Sequence, residues 1–355
     1  MPMLTFWKQR LLGQRGDATL ERWMASCPKS LLRTLARRRR RSGCYDRRSL
    51  RQFQWLWRST HSGEALLDFL LFRRDLGRPP AHRLAGPLLQ RLNSLSVRRR
   101  RLALGLLAEA GVPELWDLPA EWLADAVQHS AGMNKRTLPD SSGSPWLKTL
   151  AVEQTAWRES FAAAVRNTHS LCVVGNAGHL RGSGLGATID HHQMVMRFNR
   201  FQGPESSAAD IGRKLSVWVA SPEVIQETSQ TASWIVISGP DMLYQMRRWD
   251  SLKARLEEVQ PVLTVPLGCW ADLVKDLQAP PSAGVLMLHW LHAIRGHWQG
   301  ITATGFSTGQ PDSANYHHAD SRHQPSSRHN WEAERFLLQR WAGEGLVIWS
   351  TEAGQ

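Results

Sequence analysis

Residues 171–200 read LCVVGNAGHLRGSGLGATIDHHQMVMRFNR, and this stretch decides the fold. A short apolar run stops at Gly175 and Asn176. A loop with Gly178, Gly182, Gly184 and Gly186 follows, and a second apolar run begins at Met194. Glycine permits positive φ and close backbone approach, which a loop around a phosphate needs. The spacing GSGLG is not the GxGxxG of dinucleotide folds. The stretch therefore reads as a buried strand feeding a nucleotide-binding loop.

Outward from it, β-rich runs recur at 194–198, 215–219, 234–238, 262–265, 300–304 and 346–350. Helical patterns lie between several of them, at 241–258, 282–295 and 330–342. Strands alternating with helices predict an α/β domain with a mostly parallel sheet and helices on both faces. Ligands in such sheets bind beyond the carboxyl ends of the strands.

Upstream the texture changes. Residues 135–145 (KRTLPDSSGSP) read as a linker. The expected division is a basic helical region, 1–150, and an α/β domain, 151–355. In the first third Leu, Trp and Phe recur at helical spacing between arginines. The chain holds 44 Lys and Arg against 31 Asp and Glu, a net charge of +13. RTLARRRRR at 33–41 and RRRR at 98–101 concentrate this charge early. Such runs are a solvated basic surface, or contact an anionic membrane or nucleic acid. No apolar run approaches the ~20 residues of a membrane-spanning helix. ALLDFLLF at 65–72 is too short and contains Asp68. Four scattered cysteines, Cys27, Cys44, Cys172 and Cys269, make neither a disulfide scaffold nor a zinc pattern.

The first stretch resembles the large sialylmotif of the eukaryotic-type sialyltransferases, glycosyltransferase family 29. That motif typically reads CxVVGNSGxLxGSGxGxxID, then VxRxNxAP, then ADVGxxT. The matching pieces are Cys172 to Asp190, then Val195, Arg197 and Asn199, then Ala209, Asp210, Ile211 and Gly212. Three further stretches follow in the family's order. PPSAGVLMLHWLHAIRGHWQGITATGF at 280–306 resembles the small motif through Ser282, Gly284, His292, Gly305 and Phe306, with Ala283 where the family has Thr. NYHHAD at 315–320 is similar to the third motif, with Tyr316, His317 and His318, and HNWEAE at 329–334 to the very small motif, HxxxxE.

The resemblance implies a Rossmann-like, GT-A-type glycosyltransferase domain. It implies inverting transfer of a 2-keto acidic sugar, sialic acid or a relative, from its CMP ester to a hydroxyl of a glycan or glycolipid. CMP-Kdo is the alternative donor; a non-catalytic nucleotide- or polyanion-binding protein is the alternative of another class. By resemblance Asn176, Asn199, Ser282, Ala283, Gly284, Gly305, Phe306 and Tyr316 hold the CMP-sugar. His329 is the general base, His317 or His318 supports the departing phosphate, and Asp210 and Glu334 support the site. No Asp-x-Asp is present, so neither metal nor cofactor is expected, and nucleic acid is not an expected partner. The family's large- and small-motif cysteines pair. Here Cys172 faces Arg295 in the partner position, so that bridge is not expected. With no anchor in view, a cytoplasmic, bacterial-style enzyme is expected, peripheral to the inner membrane.

Overall fold

A computed structural model describes residues 17–78, 82–110, 112–119, 121–122, 145–203, 205–221, 224, 231–237, 261–307, 316–320 and 322–349. Six helices come first: α1 (Asp17–Ser26), α2 (Lys29–Arg41), α3 (Arg47–Thr60), α4 (Gly63–Asp75), α5 (His82–Leu89) and α6 (Val97–Glu109). The longer helix α7 (Pro145–Asn167) leads into β1 (Leu171–Val174). Then come α8 (Gly186–His191), β2 (Met194–Phe198), α9 (Ala208–Ile211), β3 (Val217–Ala220), β4 (Trp234–Ile237) and β5 (Val262–Thr264). Last are α10 (Leu267–Leu277), α11 (Ala283–Arg295), β6 (Ile301–Thr304), α12 (Trp331–Gly343) and β7 (Val347–Trp349).

All seven strand expectations are met, and every pairing is parallel. The order is β5-β4-β3-β2-β1-β6-β7. Strands covered on both faces can be apolar throughout, and β1, β2, β3 and β6 are buried at every position. Helices at 283–295 and 331–343 stand where the helical patterns at 282–295 and 330–342 put them. The pattern at 241–258 lies outside the described residues, as does the linker 135–145 apart from Pro145, the first residue of α7. The boundary at 150 falls inside α7.

The early helices share the core of the sheet. Met24, Leu32, Tyr45, Phe53 and Phe72 join one cluster with Leu171, Val173, Val219, Leu263 and the α11 residues Leu288 and Leu291. On the other face Leu66, Leu70, Leu104 and Leu107 pack with Trp218, Ile235 and Val262. Helix α7 finishes the β5 edge. Gln154 Nε2 donates to the Val262 carbonyl at 2.6 Å, and Gln154 Oε1 accepts from Thr264 N–H at 2.9 Å. A side-chain amide thus stands in for the missing neighbouring strand.

The arginine runs are largely spent inside the chain. Arg33, Arg37 and Arg99 converge on Asp68 and Glu64. Arg39 pairs with Asp46 at 2.5 Å, and Arg40 with Asp75. The Asp68 carboxylate is 3% exposed, so its charge is tolerable only because these guanidinium groups surround it. Reading these arginines as a solvated basic surface is corrected accordingly.

Candidate active site

The strand order reverses between β1 and β6, and all four motif stretches meet above that switch point. Beyond β1 and β6 the backbones touch. A Cβ on Gly175 would lie 2.2 Å from the Gly305 carbonyl oxygen, and one on Gly305 (φ 72°) 2.5 Å from that of Gly175. Only glycines allow this approach. Gly284 lies under the Phe306 ring, where a Cβ would come within 2.5 Å of the ring edge.

Ser282 is the N-cap of α11, its Oγ accepting from Val285 N–H at 3.4 Å. Its own N–H donates to Oε1 of Glu334 at 2.7 Å, joining the second motif to the fourth. Ala283 follows as the first residue of α11. Glu334 is 3% exposed, and burial pushes its carboxyl up to about 7 despite the Ser282 hydrogen bond.

The third motif is tied to the first. His318 N–H donates to the Asn176 carbonyl at 2.9 Å. Arg181, in the glycine loop, donates from Nε to the His318 carbonyl at 2.9 Å and from Nη2 to that of His317 at 2.7 Å, and pairs with Glu205 at 2.6 Å. Sequence reading missed Arg181; its only signal is a charged residue inside a glycine loop. His318 is 1% exposed, and neither ring nitrogen has a hydrogen-bond partner. His317 Nδ1 accepts from Ala319 N–H at 3.2 Å. Burial, reinforced by neighbouring cationic groups, pushes both imidazoles down to about 4. Both are therefore neutral at pH 7 in the free protein and can offer an N–H rather than a positive charge.

His329 Nδ1 lies 2.8 Å from the Pro280 carbonyl. A carbonyl only accepts, so Nδ1 carries the proton and Nε2 keeps its lone pair. Burial lowers the His329 pKa further than the Pro280 contact raises it. A line of ring contacts joins His317 to His329. It passes through His323 (5.1 Å), Tyr316 (5.7 Å from His323), Trp331 (5.8 Å from Tyr316) and His329 itself (5.0 Å from Trp331).

The asparagines end β1 and β2. Asn176 Nδ2 donates to the Phe198 carbonyl at 3.1 Å, while its buried Oδ1 has no partner. Asn199 (φ 45°) accepts at Oδ1 from Ser221 N–H at 3.1 Å, so its Nδ2 donors are what it can offer a ligand. Asp210 Oδ1 accepts from Gly184 N–H at 3.0 Å and steadies the glycine loop.

Along β1 the side chains alternate. Leu171 and Val173 face the α11 side of the sheet; Cys172 and Val174 face the opposite cluster with Leu180 and Ile189. Cys172 is a buried thiol, pushed up to about 12 by burial. Arg295 ties the end of α11 to the end of α7, through the carbonyls of Val165 (3.0 Å) and Thr168, and to the Gln299 carbonyl at 2.8 Å. His292 lies in the last turn of α11, against Trp298 and at the end away from Ser282.

A parallel sheet with glycine turns and orphaned polar atoms above its switch point has the build of an α/β nucleotide-binding domain. Residues 147–309 match the profile of a family described as Glycosyltransferase family 29 (sialyltransferase). That range takes in the first two motifs. Curated relatives include CMP-N-acetylneuraminate-beta-galactosamide-alpha-2,3-sialyltransferase 1 of Gallus gallus, 43% identical over 67 residues, and its Sus scrofa counterpart, 38% identical over 65. Each match covers 18% of this chain, and the chain spans 19% of the length of each relative. Both relatives are vertebrate proteins, and the bacterial-style assignment is not borne out. Among solved structures the chain is similar to a mammalian sialyltransferase at 18% identity and TM-score 0.40, covering 64% of this chain and 78% of that one. A mammalian sialyltransferase in complex with Gal-beta-1-3GalNAc-ortho-nitrophenol aligns at 16% identity and TM-score 0.40, covering 73% and 88%.

Proposed function

We propose that this protein transfers sialic acid from CMP-sialic acid to a hydroxyl of a glycan, with inversion at the anomeric carbon and without a metal. The observation that carries the reading is the His329–Pro280 hydrogen bond beside the switch point. It holds an imidazole with Nε2 unprotonated and its pKa below the ordinary value, as a general base near neutral pH requires.

In this reading Nε2 of His329 removes the acceptor hydroxyl proton as that oxygen attacks the anomeric carbon. Attack comes from the face opposite the phosphate, and CMP leaves in the same step. His318, neutral and with both ring nitrogens unpartnered, donates an N–H to the departing phosphate. Asn176 Oδ1 accepts from a ribose hydroxyl, and Asn199 Nδ2 donates to the nucleotide. Gly284, Gly305 and Phe306 shape the floor under it, and Tyr316 forms part of its wall. Glu334 holds the N-terminal turn of α11 against α12 and takes no proton from substrate. A monophosphate leaving group carries less charge than a diphosphate, and the chain has no Asp-x-Asp to clamp one.

The test is CMP release from CMP-Neu5Ac and CMP-Kdo side by side, with and without chelator, in wild type and His329→Ala. Turnover of CMP-Neu5Ac that resists chelator and disappears in His329→Ala is the expected result. Its kcat/KM should fall on the acid side only below the ordinary imidazole range. Preference for CMP-Kdo replaces the donor, and loss in chelator with rescue by one metal rejects the metal-free step.

A further inference from the structure

We propose that the turn between α2 and α3, residues 42–46, is a positioning element for His329, with Tyr45 as its working side chain. The inference rests on the reading of His329 as the base. It gives the N-terminal helices a part in the site that none of the four motifs provides.

Two pieces of backbone must be held apart correctly for the His329 ring to aim its Nε2. One carries Pro280, whose carbonyl takes the Nδ1 proton; the other carries His329 itself. The turn grips both. Tyr45 N–H donates to the Gln278 carbonyl at 3.2 Å, two residues before Pro280. Arg328, the neighbour of His329, donates from Nη2 to the Tyr45 hydroxyl at 3.1 Å. Gly43 (φ 77°) lies so close that a Cβ there would stand 2.2 Å from the Arg328 carbonyl oxygen. Asn330 Nδ2, donating to the Leu277 carbonyl at 3.1 Å, closes the same joint from the far side.

The turn is rigid enough to act as a jig. Tyr45 is 2% exposed, its ring edge-on to Phe72 at 5.8 Å. Asp46 caps α3 by accepting from Ser49 N–H at 2.7 Å and pairs with Arg39 at 2.5 Å; Arg40 binds Asp75. The end of the arginine run, which the motifs leave without a role, thereby freezes the turn. The segment it braces, 322–328, contains no helix or strand and is mostly exposed, so an external brace decides where His329 sits.

The experiment uses the full chain and compares wild type, Tyr45→Phe, Arg328→Gln, the double variant and His329→Ala with CMP-Neu5Ac as donor. Tyr45→Phe keeps the ring and removes only the hydroxyl. A misplaced base slows chemistry without loosening the nucleotide, so kcat should fall about tenfold with the donor KM and Tm unchanged. Arg328→Gln should match that fall, and the double variant should add nothing to either single one. Wild-type kcat in Tyr45→Phe, with His329→Ala inactive, overturns the brace and leaves the base standing. Activity in His329→Ala overturns the base. A kcat loss that follows a lower Tm and a higher KM marks general destabilisation and also overturns the brace.

Discussion

The N–H of Ser282 and Oε1 of Glu334 are 2.7 Å apart, so the first turns of α11 and α12 share one buried carboxyl. Desolvation favours the neutral form and prevails over the hydrogen bonding from Ser282, which favours the ionised form.

A carboxyl raised from 4.5 to about 7 makes the folded state hold a proton that the unfolded chain releases earlier. Between those two pH values stability should fall as pH rises, then level off. Glu334→Gln keeps an acceptor for Ser282 and removes the ionisation. It should gain on wild type as pH climbs, by up to roughly 3 kcal/mol at pH 8. Parallel Tm curves for the two proteins from pH 4.5 to 8 would reject this.

His317 and His318 act with the opposite sign. Their folded pKa values, about 4, lie below the ordinary 6.5. The unfolded chain therefore binds protons first on acidification, and stability should be lost as pH falls from 6.5 towards 4. His318→Gln should flatten that limb in thermal melts while leaving the Glu334 limb in place. An unchanged acid limb would show that His318 is already charged in the folded protein.

Asp68→Asn leaves three arginines around a neutral amide. Removing one partner of a buried charge cluster should cost about 3 kcal/mol, read from urea midpoints. The released guanidinium groups should also raise retention on heparin. If neither changes, the cluster is a surface network of little weight.

Arg295 bonds carbonyls at the end of α7, where a cation also meets the negative end of the helix dipole. Arg295→Ala should cost about 2 kcal/mol. All four cysteines are free, so reductant should leave Tm unmoved. A reductant-sensitive melt would reveal a bridge that this fold does not contain.

What was legible in the sequence follows from what local pattern can carry. Most of the strands stood out because a parallel strand covered on both faces is a largely apolar run, and β1 and β3 are bounded by Gly or Ser. The motif stretches foretold which segments meet, because glycines such as Gly175 and Gly305 serve a contact between backbones. Helix α10 was not picked out; its eleven residues contain Gly268 and follow Pro266, so its apolar spacing looks like loop. Pro145 read as the end of a linker and is instead the first residue of α7. Arg33 and Asp68 are separated by 35 residues, and no local pattern announces such a pair, so a neutralised cluster looked like bare charge.

The shared core of helices and sheet has a consequence for how the chain is made. Residues 17–109 are synthesised before the sheet, yet the clusters that hold Leu66, Leu70, Phe53 and Phe72 also include strand and helix residues from 161 onward. Until those are synthesised, the early helices can pack on one another but not complete either core cluster. Completing the core therefore needs contacts between segments far apart in sequence, which form slowly and leave apolar surface open in the meantime. Chaperone supply during synthesis, more than the stability of the finished protein, should limit its yield.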